Sequence, residues 1–317
     1  FRLPADEVHV EAELLANRPR TSDAPMRVHV ARVGERLLAS PLFGGMAATT
    51  AADGIVGAFA LVPEASRPAV DVELLVDRGL LEHAVVVQGC DPALALLGSH
   101  LSRRHPSFRL VWVHRGSVEA LRGLARGETH AVGTHLRDPE SGAFNVPYVQ
   151  RELPGRRVVV ITLSEWEEGL ILAPGNPKGI AGPADLARSD VTIVNREVGS
   201  GSRMLLDNCL ARSGISSRGV HGYDHEAATH LAVADTVASG AADAGPGIRS
   251  VARALGLDFM SLQQERYDLV VPLEFLNHPP LQAMLDVAMS PSYRKELEAL
   301  GGYDSSQAGS IVAELVA

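Results

Sequence analysis

The runs Val158-Val159-Val160-Ile161-Thr162 and Gly169-Leu170-Ile171-Leu172-Ala173, answered much later by Tyr267-Asp268-Leu269-Val270-Val271, decide how the chain is laid out. Each is a short apolar run of strand length and reads as a buried strand. The second leads into Pro174-Gly175-Asn176-Pro177-Lys178-Gly179, a turn-forming stretch. Between this point and Tyr267 lies a complete strand–helix set: Val191 to Val194, a Gly/Ser turn, an Ala-rich helix from Glu226 to Ser239, and Asp243-Ala244-Gly245. The natural arrangement is two α/β lobes joined by two crossing strands. The chain leaves lobe one, builds lobe two and returns, and helices around Leu276 to Met289 and Pro291 to Leu300 finish lobe one. A cleft between such lobes is a ligand site that closes by hinge motion. The acidic interval Glu165 to Glu168 reads as a solvated bend at the crossover.

Within lobe two the informative stretch is Asn195-Arg196-Glu197-Val198-Gly199-Ser200-Gly201-Ser202-Arg203. The helix expected from about Ser202 carries Leu205, Leu206, Cys209 and Leu210 on one face and stops at Gly214. A glycine-rich turn ending at a helix N-terminus presents free N–H groups and the positive end of the dipole, which favour an anion. Ser200 and Ser202 add hydroxyl donors and Arg203 a charged fork. The same residues also suit an ordinary strand-to-helix turn, with one serine as the N-cap and Arg203 as a solvated helix residue. The pattern is neither a P-loop nor a Gly-x-Ser-x-Gly nucleophile elbow.

Upstream, from about Glu82, the chain repeats strand, loop and helix. Ala84 to Gln88 precedes Gly89-Cys90-Asp91-Pro92 and a helix carrying Leu94, Leu97 and Leu101. Phe108 to Val113 precedes Gly116-Ser117, with Ser117 placed as N-cap of a helix closed by Gly127; Ala131 to His135 is the next strand. Such alternation predicts a largely parallel sheet with ligands at the carboxyl ends of its strands. Before it, the chain to about Val76 has a different period. Met26 to Val33, Glu35 to Pro41, Ile55 to Val62 and Val70 to Val76 are short strands with Gly- and Pro-rich joints, which predict a compact barrel or sandwich.

Composition narrows the function classes. The net charge of −9 argues against a general nucleic-acid surface, although a local nest of N–H groups still binds a small anion. No run reaches the length of a membrane span. Cys90 and Cys209 are the only cysteines, and so distant a pair forms neither a disulfide framework nor a zinc pattern, so a reducing, cytoplasmic setting is expected. The sequence opens on Phe1 without Met and without a signal-peptide pattern, so a fragment or a missing start is expected.

Among single residues, Asp91 reads as a cap for the helix after it, because a carboxylate would oppose an anion unless it met a cationic part of the ligand or its metal centre. Cys90 suits soft-metal chemistry or plain burial. His225-Glu226-Ala227-Ala228-Thr229-His230 has one residue too many for His-Glu-x-x-His, so His225 and His230 do not share a helix face, and no metal ligand set is assigned. His230 with Thr229 reads as a hydrogen-bonding pair near the cleft, and His135, at a strand's carboxyl end, as a site residue. No catalytic set emerges, either as an ordered Ser-His-Asp triad or as a distinct carboxylate pair.

The segment from about Glu82 to the end resembles the periplasmic-binding-protein-like domain related to the molybdate and tungstate binders. The likeness rests on Gly127-Glu128-Thr129-His130-Ala131-Val132-Gly133-Thr134-His135-Leu136, Asn145-Val146-Pro147-Tyr148, Ala173-Pro174-Gly175-Asn176-Pro177-Lys178-Gly179-Ile180, Gly199-Ser200-Gly201-Ser202-Arg203, Thr229-His230-Leu231-Ala232-Val233-Ala234 and Glu265-Arg266-Tyr267-Asp268-Leu269-Val270. The first block resembles the C-terminal β domain of the molybdopterin molybdenumtransferase family through Gly44-Gly45-Met46 and the strands around it. The resemblance implies an α/β, two-lobed type II periplasmic-binding-protein-like fold with a small N-terminal all-β domain. The β domain would span 1–78 and the two-lobed domain 79–317, with lobe one about 79–163 and 268–317 and lobe two about 168–264. It further implies a small-anion module for molybdate or tungstate linked to molybdenum cofactor biosynthesis, with no covalently held cofactor. The transferase's catalytic domain would precede residue 1. Places matching the family's ligand loops are Cys90 and Asp91, Ser117, Thr134 and His135, and Gly199, Ser200, Gly201, Ser202 and Arg203, with Tyr223 to His230 opposite. The alternative is an accessory part of a molybdenumtransferase that holds a pterin-phosphate or nucleotide-like intermediate. Expected partners are thus a small anionic ligand and, through the transferase, molybdopterin or the catalytic domain, with neither nucleic acid nor membrane.

Overall fold

Alternating burial builds the N-terminal layer. The structure, a computed structural model, describes residues 8–15, 20–22, 25–42, 50–57, 59–62 and 67–315. In β1 (His9–Leu14) the side chains of Val10, Ala12 and Leu14 point inward while His9 and Glu11 are exposed. Strand β2 (Met26–Val33) turns at Gly34, where φ is +58°, onto β3 (Arg36–Pro41), forming the expected hairpin. With β4 (Gly54–Val56) and β5 (Ala69–Leu74) these strands close in the order β1–β3–β2–β4–β5, β5 returning to β1. Closure leaves no open sheet edge, and Val10, Val28, Val30, Val56 and Val72 fill the inside. Gly44-Gly45-Met46 lies outside the described residues.

The remainder is an eight-stranded sheet with helices around it. Strands β6 (Ala84–Gly89), β7 (Arg109–His114) and β8 (Ala131–Thr134) run parallel, separated by α1 (Ala93–Arg104) and α2 (Ser117–Ala125). Two strands of 15 residues each, β9 (Val158–Leu172) and β10 (Asp258–Pro272), pair antiparallel from Val158↔Pro272 to Leu172↔Asp258 and cross from one lobe to the other. These are the two expected crossing strands, and the α/β two-lobed fold class follows from them.

The acidic interval within β9 differs from expectation. Residues Glu165 to Glu168 form no solvated bend: the strand is continuous apart from two register shifts, and Glu168 is completely buried. Once the strand runs through, alternate residues share a face, so Ser164, Trp166 and Glu168 look inward, with Glu265 opposite Trp166 and Tyr267 opposite Ser164. Glu165 and Glu167 point the other way, and Glu167 pairs with Arg249 at 2.6 Å.

Lobe two holds β11 (Asn195–Arg196), α3 (Gly201–Arg212), β12 (Glu226–Ala227), α4 (His230–Ala238) and β13 (Ala244–Ile248). The strand expected at Val191 to Val194 lies one step on, at Asn195–Arg196, paired parallel with Glu226–Ala227, whereas Val191 to Val194 is extended chain with a single bridge at Ile193. The Ala-rich helix starts at His230 rather than Glu226, because Thr229 Oγ1 accepts from Ala232 N and caps it there.

The barrel and lobe one share a core. Ala31, Val33 and Leu38 on the outside of the barrel pack against Ala84, Val86, Val111 and Val113. Beside them the buried Asp53 carboxylate accepts from Val30 N (2.8 Å), His29 Nδ1 (3.1 Å) and Arg109 Nη1, while Arg109 Nη2 donates to Val30 O at 2.6 Å. On the other side Arg36 binds Glu13 at 2.6 Å and the carbonyl of Arg126 at 2.8 Å.

His130 sits under this sheet, buried, its ring stacked on His278 at 4.4 Å and its Nδ1 accepting from Val86 N at 3.0 Å. Burial, with His278 beside it, pushes its pKa down to about 3. The unfolded chain binds a proton near the ordinary value of 6.5 and the folded one does not, so the contribution is present above pH 6.5 and is lost as pH falls from 6.5 towards 3. We expect urea-melt stability to drop by a few kcal/mol (about 1.4 per pH unit) across that window, and less steeply in His130→Gln. Equal slopes in both proteins would show that His130 is not responsible.

Candidate functional site

The crossing strands bring Trp166, Glu168, Glu265 and Tyr267 to one inner face, and strand ends and helix starts from both lobes meet them there. Cys90 follows β6, Thr134 ends β8 with His135 next after it, Arg196 ends β11, Ser202 is in the first turn of α3 and His230 opens α4. All are 0–2% exposed. Their closeness depends on Gly201. A Cβ there would lie 2.2 Å from His135 O and 2.5 Å from the His135 ring, so only glycine lets α3 approach this strand end.

His135 is the centre of the group. Its Nδ1 lies 2.5 Å from Glu265 Oε2 and 4.0 Å from Glu168 Oε2, and its ring centroid 4.8 Å from Trp166 and 6.2 Å from His230. Glu265 is held in turn by Gln263 Nε2 at 3.1 Å. Burial opposes charge on His135, but Cys90 and Glu265 outweigh it and hold the imidazole well above its usual pKa. Burial pushes Glu168 up to about 7, against the pull of His135. Burial drives His230 well below the usual imidazole range, helped by Arg196, so its ring is neutral. Arg196 binds Glu197 through Nε (2.9 Å) and Nη2 (3.0 Å).

Many of these buried atoms have no hydrogen-bond partner among the described residues. They include Arg196 Nη1, Ser202 Oγ, Thr134 Oγ1, Trp166 Nε1, His135 Nε2, both ring nitrogens of His230, both oxygens of Glu168 and Tyr267 Oη. A buried polar group without a partner costs about 1–3 kcal/mol, so such a concentration in one place makes this the candidate binding site.

The candidates named from sequence divide. Cys90, Thr134, His135, Ser202 and His230 belong to this group. Ser200 is the cap of α3, its Oγ accepting from Arg203 N at 3.3 Å, so the choice between the two serines is made by position. Gly199, with φ +88°, turns the chain, and its carbonyl accepts from Val118 N at 3.3 Å, tying the lobes together. Ser117 is not the N-cap expected of it. Gly116 takes that position, because Ser117 Oγ turns inward to accept from His135 N at 3.2 Å and so holds the strand end. Asp91 is not the N-cap expected of it: Pro92 takes that position, while the Asp91 carboxylate, one residue earlier, accepts from Ala93 N (2.9 Å) and Tyr303 Oη (2.7 Å), and burial pushes it up to about 6. Arg203 is committed elsewhere: Nε to Asp207 and Tyr223 Oη, and Nη1 to Arg196 O and Glu226. Tyr223 lies beneath it, its ring 4.1 Å from the guanidinium carbon.

The residues that sequence reasoning missed are Arg196, Trp166, Glu168, Glu265 and Tyr267. The two-residue period of β9 held the signal for Trp166 and Glu168, had the strand been continued through the acids.

A model of the PBP superfamily domain matches residues 98–289. The chain belongs to the PBP superfamily. It is 36% identical over 230 residues to YvgK, an uncharacterized protein of Bacillus subtilis, covering 73% of this chain and 74% of that one. Solved structures of the same fold include a Clostridium perfringens protein described as a phosphate ABC transporter substrate-binding protein with bound phosphate. It has a TM-score of 0.53 and 12% identity, over 70% of this chain and 99% of that one. The periplasmic molybdate-binding protein of Azotobacter vinelandii gives a TM-score of 0.52 at 16% identity, over 69% and 98%. In this PBP superfamily member the orphaned polar atoms gather where the two lobes meet.

Proposed function

We propose that the chain captures a small oxyanion between its lobes, molybdate or tungstate in preference to sulfate or phosphate, as a module serving molybdenum cofactor assembly. The observation that carries this reading is the completely buried Arg196, whose Nη1 has no hydrogen-bond partner among the described residues. Ser202 Oγ, Thr134 Oγ1 and Trp166 Nε1, all buried and without a hydrogen-bond partner among the described residues, add donors to the same group. Glu265 is balanced by His135, and Glu168, with its pKa near 7, is partly protonated at neutral pH. The site therefore tolerates an added negative charge better than its residue types suggest. The phosphate and molybdate binders that share the fold support the ligand class. The link to cofactor assembly rests on the resemblance of the first block to the molybdenumtransferase β domain. A pterin-sized ligand is less well supported, since Trp166 and Tyr267 pack on each other at 4.8 Å and are 0–1% exposed.

Isothermal titration with the four anions tests the reading. Binding with molybdate or tungstate, weakened about ten- to a hundredfold in Arg196→Gln, is expected for the loss of one charged hydrogen-bond donor. A circular-dichroism melt checks that the variant is folded. Absence of heat with all four anions overturns the proposal.

A further inference from the structure

An anion leaves part of the site unexplained, because Cys90, His135, His230, Glu168 and Glu265 are the residues of a cation site. We propose that Cys90 Sγ, His135 Nε2 and a ring nitrogen of His230 hold a divalent transition-metal ion of the zinc class, with an open coordination position towards Arg196. The second half of this statement, that the captured anion's oxygen fills the open position, rests on the function proposed above; the metal site itself does not.

The three donor atoms lie within 4.8 Å of one another and all three residues are buried. A tetrahedral ion with Zn–N near 2.1 Å and Zn–S near 2.3 Å places its donors about 3.5 Å apart, so closing the site needs movements of about an ångström or less. His135 is already oriented as metal-binding histidines are. Its Nδ1 is held by Glu265 at 2.5 Å, while its Nε2 has no hydrogen-bond partner among the described residues and is the nitrogen left for a metal. Both nitrogens of His230 lack a hydrogen-bond partner among the described residues although the residue is 1% exposed, which is costly unless a ligand engages one of them. One sulfur and two imidazoles suit zinc, cobalt and nickel better than calcium or magnesium. The set escapes sequence reading because its ligands come from three separate segments, at positions 90, 135 and 230.

Cobalt(II) is the probe. Titrating the whole chain, freed of metal by chelator, should give one equivalent of Co2+ with the intense visible bands of tetrahedral cobalt and a near-ultraviolet sulfur-to-cobalt band. The sulfur band should vanish in Cys90→Ser and persist in Cys209→Ser. Affinity should fall tenfold or more in His230→Gln, and ten- to a hundredfold in Glu265→Gln, where only the positioning of His135 is lost. Wild-type protein showing no sulfur-to-cobalt band overturns the proposal without any variant, as does a band that follows Cys209. Anion titrations on the metal-free and zinc-loaded forms separate the two claims. Tighter anion binding in the loaded form supports both. Equal anion binding in the two forms refutes the open position and leaves the oxyanion reading intact. A cobalt spectrum without anion binding in either form upholds the metal site and refutes the oxyanion reading.

Discussion

Gly133→Ala is expected to cost about 3 kcal/mol or more and to leave little folded protein at 37 °C. A Cβ at this position would lie 1.8 Å from Tyr267 Oη, 2.3 Å from Cζ and 2.6 Å from Cε1. The ring cannot retreat, being completely buried and packed 4.8 Å from Trp166. Gly89 faces the same tyrosine from β6, but there the Cβ meets only the hydroxyl closely, at 2.3 Å, with the Gly133 backbone at 3.3 Å or more. The two glycines should therefore respond differently to Tyr267→Phe. Removing the hydroxyl should restore most of the stability lost in Gly89→Ala, and little of that lost in Gly133→Ala, where ring carbons remain in the way. Because Tyr267 Oη has no hydrogen-bond partner among the described residues, Tyr267→Phe alone should not destabilise the protein and should raise its stability by up to about 1–3 kcal/mol. Chemical denaturation of the three single and two double variants measures this. Rescue of both glycine variants, or of neither, would contradict the packing described.

Asp53→Ala should be almost as damaging, at about 3 kcal/mol. Its carboxylate is 4% exposed and accepts from a backbone amide, His29 and Arg109 together, and those neighbours hold its pKa down against the effect of burial. Removing it leaves Arg109 half-desolvated beside the Val30 carbonyl, and an unpaired buried charge costs roughly 3–5 kcal/mol, here at the lower end because Arg109 keeps 20% of its side chain in solvent. The cluster bridges the barrel and lobe one, so the loss should appear as earlier exposure of the barrel strands to proteolysis. A melt within about 1 kcal/mol of wild type would mean that the shared apolar contacts of Ala31, Val33 and Leu38 hold the two parts together unaided.

The sequence by itself determined whatever depends on neighbours along the chain. The period of β2 and β3 and the glycine turn at Gly34 place the hairpin, and the apolar runs at Val158 and Tyr267 place the crossing strands. The same holds for the Gly/Ser turn that opens α3. The site was legible only in part. Cys90, Thr134, His135, Ser202 and His230 could be named because strand ends and helix starts gather at one edge of such a sheet. Arg203 and Ser117 looked equally good in sequence, yet the fold engages one with Asp207, Tyr223 and Glu226 and the other with the His135 amide. Only the tertiary structure decided that Arg196 and Glu168 are buried. Locally, an arginine beside a glutamate and the last acid of an acidic run belong in water, where their charges cost least. They leave it because β9 continues straight through the acids and α3, admitted by Gly201, closes over the strand end. Burial is set by what the rest of the chain brings from far away, and no local pattern encodes that.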